Sequence, residues 1–309
     1  RDQFAINLVN ADTTNFSVYG DYDSDSNTEK IEITYGHPKD GRWDLKRFVL
    51  GMATNQYGIP LMLQTFSGNE SDKKSLLRMV TGIKENLNVD EKVLHVADSA
   101  FYTEENLKTL GSHTFWISRV PMVILEADLL RRTGEPFTVC TDDRYSYYSA
   151  YSDYAGVRQK WFVFHSSEQQ KRKEKTFEKR IEKELEKSGK SLKRLSAKRF
   201  ACEPDAYSAF DEWVEKHPWV TCDSCSIRQV HERVEKKRGR PGKDEELIVK
   251  YVIDANIAPN TTHIEREKEI LGRFIVATND LDLDPETALT YYKGQYQVEK
   301  GFRFLKDKT

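Results

Sequence analysis

Three acids in this chain sit where acids are costly. Asp12 lies in a stretch, residues 5–19, in which Leu8, Asp12, Thr14, Phe16 and Val18 share one parity, the pattern of a strand. Asp98 closes the short apolar run 93–97. Asp is disfavoured inside strands, so each placement asks for a reason. Glu299 lies on a terminal helical pattern. At about 100° per residue, Tyr292, Gln295, Glu299, Phe302 and Lys306 fall within an arc of roughly 80°, with Val298 and Leu305 beside it. An acid on a partly apolar face needs a partner or a metal. Three carboxylates brought together can bind two hard cations through oxygen. Two such cations about 4 Å apart can activate a nucleophile and stabilise the leaving oxygen of a phosphodiester. Each acid alone also has a plainer reading. Asp12 suits an edge strand, Asp98 suits a turn or helix cap, and Glu299 suits a salt bridge to Lys306 or Arg303.

The elements that must position these acids are legible in the first 120 residues. Runs 48–54 and 59–66 flank Asn55-Gln56-Tyr57-Gly58, a hairpin-like turn. Ser71-Asp72-Lys73-Lys74 opens a helix with Leu76, Met79, Val80, Ile83 and Leu87 on one face. The run that ends on Asp98 is a short buried strand, a second helix opens at Thr103, and 114–120 reads as another strand. At the far end, Asp284-Pro285-Glu286 is a helix start, with a cap, Pro at the first position and then an acid. A helix, interruptible at Gly294, runs on from there.

The region 125–280 reads differently. Residues 145–152 and 159–166 suit a hairpin. Residues 167–187 suit a long charged helix, with a break expected at Ser188-Gly189-Lys190. Residues 205–216 suit a helix, 226–235 and 246–258 a pair of strands, and 272–278 a further strand. The expected organisation is a core part in 1–124, an inserted mixed subdomain in 125–280, and a return to the core in 281–309 with Glu299.

Composition narrows the class. The 309 residues are 38% apolar and 32% charged, with a net charge of −2, as in a globular protein with a charged surface. No apolar run approaches the roughly 20 residues of a membrane span. Arg1-Asp2-Gln3-Phe4 does not open a signal peptide. A start without Met and a stop inside a helical pattern read as an internal fragment. Four cysteines are too few for a disulfide framework. Cys222-Asp223-Ser224-Cys225 has half the spacing of a zinc site but no matching pair nearby. Charge is unevenly spread. Residues 171–200 hold 13 Lys/Arg against 5 Glu, and 233–243 hold 6 against 1. Such local patches can bind phosphate in a chain that is neutral overall, although solvated surface explains them equally.

The motifs then become specific. Tyr292, Gln295, Glu299 and Lys306 follow the spacing Tyr, two residues, Arg, three residues, Glu, six residues, Lys, with Gln295 at the Arg position. Asn10-Ala11-Asp12-Thr13-Thr14, His95-Val96-Ala97-Asp98-Ser99-Ala100-Phe101-Tyr102, Gly36-His37-Pro38-Lys39-Asp40 and Gly68-Asn69-Glu70-Ser71-Asp72 complete the pattern. Together they resemble the DDE transposases of bacterial insertion sequences, in the group marked by a Tyr-Arg-Glu-Lys signature. The resemblance covers most of 4–120 and 245–309.

The resemblance implies an α/β, ribonuclease-H-like mixed sheet flanked by helices, with a large α+β insertion before the last catalytic helix. In that fold the first and fourth strands are neighbours, so Asp12, Asp98 and Glu299 converge as catalytic metal ligands. The implied cofactor is two Mg²⁺ ions, with Mn²⁺ able to substitute. The implied reaction frees a 3′-OH at the element's end and joins it to target DNA, with two protomers assembled on DNA. A prokaryotic cytoplasmic, nucleoid-associated location goes with it. Tyr292, Gln295 and Lys306 are the implied contacts to DNA-end phosphates. Gln lacks the charge and the bidentate fork of Arg, and Arg303, near the same stripe, is the expected substitute. Arg238 and Arg240, in Arg238-Gly239-Arg240-Pro241, resemble an AT-hook core that enters narrow minor grooves; a basic hairpin tip is the plainer reading. A nuclease of the same fold, or a DNA-binding protein that has lost catalysis, are the alternative readings. If Arg303 is the substitute, Arg303→Ala weakens binding to the element's end DNA in a mobility-shift titration; unchanged binding removes it from that role.

Overall fold

The computed structural model describes residues 6–22, 31–87, 92–233 and 247–307. Two compact units emerge, one formed by Arg1–Ser167 with Arg273–Thr309 and the other by Glu168–Gly272. In the first, strands β1 (Leu8–Val18), β2 (Lys46–Asn55) and β3 (Pro60–Ser67) precede helix α1 (Asp72–Leu87). Then come β4 (Leu94–Ala97), α2 (Glu104–Leu110), β5 (Phe115–Arg119), α3 (Leu125–Arg131), β6 (Thr138–Val139), β7 (Tyr145–Ser152) and β8 (Gln159–Ser166). The second unit holds most of α4 (Ser167–Ser196), then α5 (Glu203–Glu215), β9 (Val220–Arg233), β10 (Leu247–Pro259) and α6 (Thr261–Glu269). The chain returns to the first unit through β11 (Arg273–Thr278), α7 (Pro285–Lys293) and α8 (Tyr296–Lys306).

The first unit is a nine-stranded mixed sheet in the order β3-β2-β1-β4-β5-β11-β8-β7-β6, so the first and fourth strands are neighbours. β1 pairs antiparallel with β2 and parallel with β4, and β4 pairs parallel with β5. Because side chains alternate along a strand, each face of the sheet has its own core. Val9, Ala11 and Trp116 pack with Leu76, Met79 and Ile83 of α1 and Leu107 of α2. Leu8, Leu94, Val96 and Ile117 pack with Ala288 and Leu289 of α7. Val298 and Phe302 of α8 rest on Met52 and Leu50 of β2.

Three expectations change. Hairpin β7–β8 and strand β11, read as parts of the insertion, instead extend the main sheet, with β11 between β5 and β8. Trp161, Phe162, Val163 and Phe164 are all fully buried. A strand apolar on both parities belongs inside a sheet covered on both faces. The separate unit therefore spans Glu168–Gly272 and not 125–280. It has its own core of Leu192, Leu195, Ala206, Phe210, Trp213, Val220 and Ile253. Helix α4 also runs unbroken through Ser188-Gly189-Lys190. There the Ser188 hydroxyl is satisfied by donating to the Glu184 carbonyl at 2.8 Å, and burial of Leu192 and Leu195 rewards continuation. The interruption at Gly294 is real: α7 stops at Lys293 and α8 starts at Tyr296.

Two glycines lock the segment before β2 onto the one after β3. A Cβ on Gly36 would lie 1.9 Å from the Gly68 carbonyl oxygen, and one on Gly68 would lie 2.1 Å from that of Arg47. The Gly68 amide donates to the Glu32 carbonyl at 2.9 Å. Arg47, fully buried, donates from Nη2 to the carbonyls of Arg42 and Leu45 and so ties down the intervening loop. Both clashes are with backbone, which cannot swing aside. Gly68→Ala and Gly36→Ala should therefore each destabilise by about 2–4 kcal/mol. Gly134→Ala, which meets nothing within 4 Å, is the control and should stay within about 0.5 kcal/mol. Thermal melts of the three variants check the contrast.

Candidate active site

The last register pair of the β1/β4 ladder is Ala11 with Ala97. Asp12 and Asp98 are the next residue of each strand, side by side. Their parity is that of Leu8, Leu94 and Val96, so both point to the face covered by α7. Each has one carboxylate oxygen tied to the chain ahead of it. Asp12 Oδ1 accepts from the Thr13 amide at 2.7 Å, and Asp98 Oδ1 from the Ala100 amide at 2.8 Å. The Asp98 carbonyl also accepts from the Ser118 hydroxyl at 2.8 Å. Asp98 thus does form the turn that its type allows, and the turn aims it.

Burial, with neighbouring carboxylate charge, holds both acids above the usual carboxylate range. The Asp12 pKa rises to about 6, chiefly through burial, against the Thr13 amide bond; the Asp98 charge adds to the rise and Lys39 opposes it. The Asp98 pKa is raised as well, first by burial, with its backbone bond and Lys39 opposing. Lys39 is placed by the glycine lock. Its Nζ donates to the Thr13 carbonyl at 2.9 Å and forms an ion pair with Asp72 at 3.1 Å. Asp72, at the start of α1, accepts from the Thr13 hydroxyl at 2.8 Å. A cation thus stands at the rim of the acid pair, on the residue next to Asp12.

The terminal helices supply the rest. Lys306 donates to the Thr14 hydroxyl at 2.6 Å and lies 5.3 Å from the centre of the Phe16 ring. Burial lowers the Lys306 pKa and the Lys39 charge lowers it further, while Asp40 and Asp12 favour its charged form. Tyr292 is half-buried and its pKa is raised, first by burial. The Arg119 guanidinium, hydrogen-bonded to it, opposes that rise, and the charges of Asp98 and Glu299 add to it. Tyr292 therefore lies within electrostatic reach of both acids. Arg119 also stacks over Phe274 at 5.6 Å.

Not every residue singled out by sequence joins this cluster. Glu299 is exposed on α8, one position from buried Val298, and among the described residues no three His, Cys, Asp or Glu are grouped tightly enough to hold a metal. Gln295 faces inward. Its Nε2 is buried without a hydrogen-bond partner, as is Asn10 Oδ1 on β1. Arg303 is exposed on α8. Arg238 and Arg240 lie outside the described residues. Cys222 and Cys225 are free thiols. Sequence reasoning assigned no role to Lys39, Asp72 or Arg119. Lys39 and Asp72 stand in the two glycine-bearing motifs, which was their signal. Arg119, at the end of an apolar strand, carried none.

The donor set is oxygen only, half-buried and carboxylate in type, which fits hard divalent cations such as Mg²⁺ and Mn²⁺. Fold and site define a mixed-sheet α/β protein with paired carboxylates and lysines at their rim. The chain belongs to the transposase DDE domain family, whose model matches residues 11–309. Neither the curated proteins nor the solved structures gave a match. Among the described residues no helix is long and apolar enough to cross a membrane.

The raised pKa of Asp12 has a sign that can be measured. Between pH 3.8 and about 6 the folded protein holds a proton that the unfolded chain has released. Stability therefore falls as pH rises through that window, and the full cost persists above it. Asp12→Asn removes the cost. In chelator it should be more stable than the parent at pH 7.5, by about 1–3 kcal/mol, and the difference should close near pH 4. A difference independent of pH would show that ionisation of Asp12 is not its source.

Proposed function

We propose that the chain is the catalytic core of a DNA transposase that cleaves phosphodiesters at element ends and transfers the freed 3′ end into target DNA. The observation that carries this reading is the pair Asp12 and Asp98, juxtaposed at the ends of neighbouring parallel strands beneath the face that α7 covers. The strand order β3-β2-β1-β4-β5 supports a ribonuclease-H-like core, and the family match supports the reaction class. Asp12, Asp98 and Glu299 are the ligands for two Mg²⁺ or Mn²⁺ ions. When bound, such ions neutralise charge at phosphorus and promote deprotonation of the attacking oxygen.

The chain's own groups do the remainder. Asp12 and Asp98 are already aimed by their backbone hydrogen bonds, so little ordering is left for the moment of binding. Glu299 completes the set by a shift of the α8 side chain toward Tyr292. Lys306 and Lys39 offer charge to the phosphates that flank the scissile bond. Arg119, joined to the Tyr292 hydroxyl, supplies the planar fork that Gln295 lacks. Two protomers are expected on DNA, because two ends must be processed together.

Mn²⁺ titration by calorimetry, with plasmid nicking and oligonucleotide strand-transfer assays, tests the proposal. Asp12→Asn, Asp98→Asn and Glu299→Gln should each reduce metal-dependent cleavage by at least about 10²–10³-fold and leave duplex binding near that of the parent. Cleavage without strand transfer would replace the reading with a nuclease of the same fold. Absence of both Mn²⁺ binding and cleavage would leave a DNA-binding protein.

A further inference from the structure

Helix α4 carries an arrangement that the active site does not use. Its buried residues, Phe177, Ser188, Leu192 and Leu195, fall on one side in helical projection. On the opposite side, within an arc of about 100°, lie Arg172, Lys179, Arg180, Lys183, Lys187, Lys190 and Arg194, every one of them exposed. All the helix's glutamates lie outside that arc. From Arg172 to Arg194 the stripe extends about 33 Å, close to one turn of a DNA duplex.

The stripe is not held by strong internal pairing. Glu168 meets Arg172, Glu184 meets Lys187 and Glu186 meets Lys190, all as exposed contacts within the helix. Such surface pairs contribute little and exchange readily for phosphate. Arg180 is stiffened by lying over Trp219 at 5.3 Å. Toward its C-terminal end the stripe borders a groove of about 390 Å³ lined by Lys183, Lys187, Lys190 and Arg194 together with one acid, Glu186, and by His217. His217 is held in place: it stacks on Trp213 at 4.3 Å, and Trp213 donates to Ser191 of α4 at 2.9 Å. Segregated cations of this length, set on an anchored helix, suit a linear polyanion and not a point ligand.

We propose that this stripe is a second DNA-binding surface, which docks the sugar-phosphate backbone of a duplex without reading its sequence. The inference takes its substrate class from the transposase reading above. A quadruple variant of the 309-residue chain, Lys183→Gln, Lys187→Gln, Lys190→Gln and Arg194→Gln, tests it by fluorescence anisotropy on a 30-bp duplex of arbitrary sequence. All four side chains are exposed, so the thermal melt serves as the folding check. Expected are a loss of affinity of at least about tenfold at 0.1 M salt, and a log–log salt slope shallower by about 3. Unchanged affinity and slope overturn the proposal. So does an equal loss from Lys175→Gln with Lys193→Gln, which remove charge off the stripe, or a variant that loses only polyglutamate binding and keeps DNA. Metal-dependent cleavage is read separately with Asp12→Asn. Duplex binding that depends on the stripe without any cleavage would leave this surface standing while the catalytic reading fails.

Discussion

Two carboxylates forced side by side in a half-buried position are the constraint around which the first unit is built. Loss of solvent pushes both toward protonation, and the charge of Asp98 adds to the push on Asp12, that of Asp72 to the push on both. A fold free to relieve the pair would separate it. Here separation is blocked, because each aspartate is one residue beyond a parallel ladder whose strands are buried on both faces. The surrounding chemistry offsets part of the cost without abolishing it. Backbone amides hold one oxygen of each acid, and Lys39 and Lys306 contribute charge from opposite sides of β1. What is left is a site in which added positive charge is stabilising.

The delivery of Lys39 shows how far the constraint reaches. Lys39 comes from a loop and Asp72 from the first residue of a helix, more than thirty positions apart in sequence. They meet because Gly36 and Gly68 let two backbones approach closer than any Cβ permits. The ion pair itself is partly exposed and contributes modestly to stability. Its importance is placement: the Thr13 carbonyl and hydroxyl bind the two members of the pair, so the rim charge is registered to the strand that carries Asp12.

Much of this was legible in the chain. Alternation located β1, the end of a short buried run located Asp98, and Asp284-Pro285 located α7. Local rules operate at these places, and the structure follows them. What the sequence obscured was membership. The run Trp161 to Phe164 reads as a hairpin arm by itself, and only the sheet shows that both of its parities are covered. Ser188-Gly189 reads as a breaker because local propensity disfavours helix there, whereas Leu192 and Leu195 are buried one turn later and carry the helix through. The rim residues were hidden for a related reason. Lys39, Asp72 and Arg119 take their roles from contacts across long sequence separations, which periodicity does not report.

A neutral side chain at position 295 fits the same geometry. The junction of α7 and α8 sits over Asn10, since a Cβ on Gly294 would lie 3.6 Å from Asn10 Oδ1. Gln295, next along, has its Nε2 buried with no partner. A guanidinium there would bring a permanent charge into a half-buried spot, whereas an amide is neutral and of smaller reach. A positive charge stands on Arg119, where hydrogen bonding to the Tyr292 hydroxyl and stacking on Phe274 hold it. A cation fixed to the sheet keeps its position relative to Asp98 whatever α8 does. Glu299, on α8, is exposed, while Asp12 and Asp98 are fixed by strand register. The acid pair thus belongs to the sheet, and its geometry does not depend on α8.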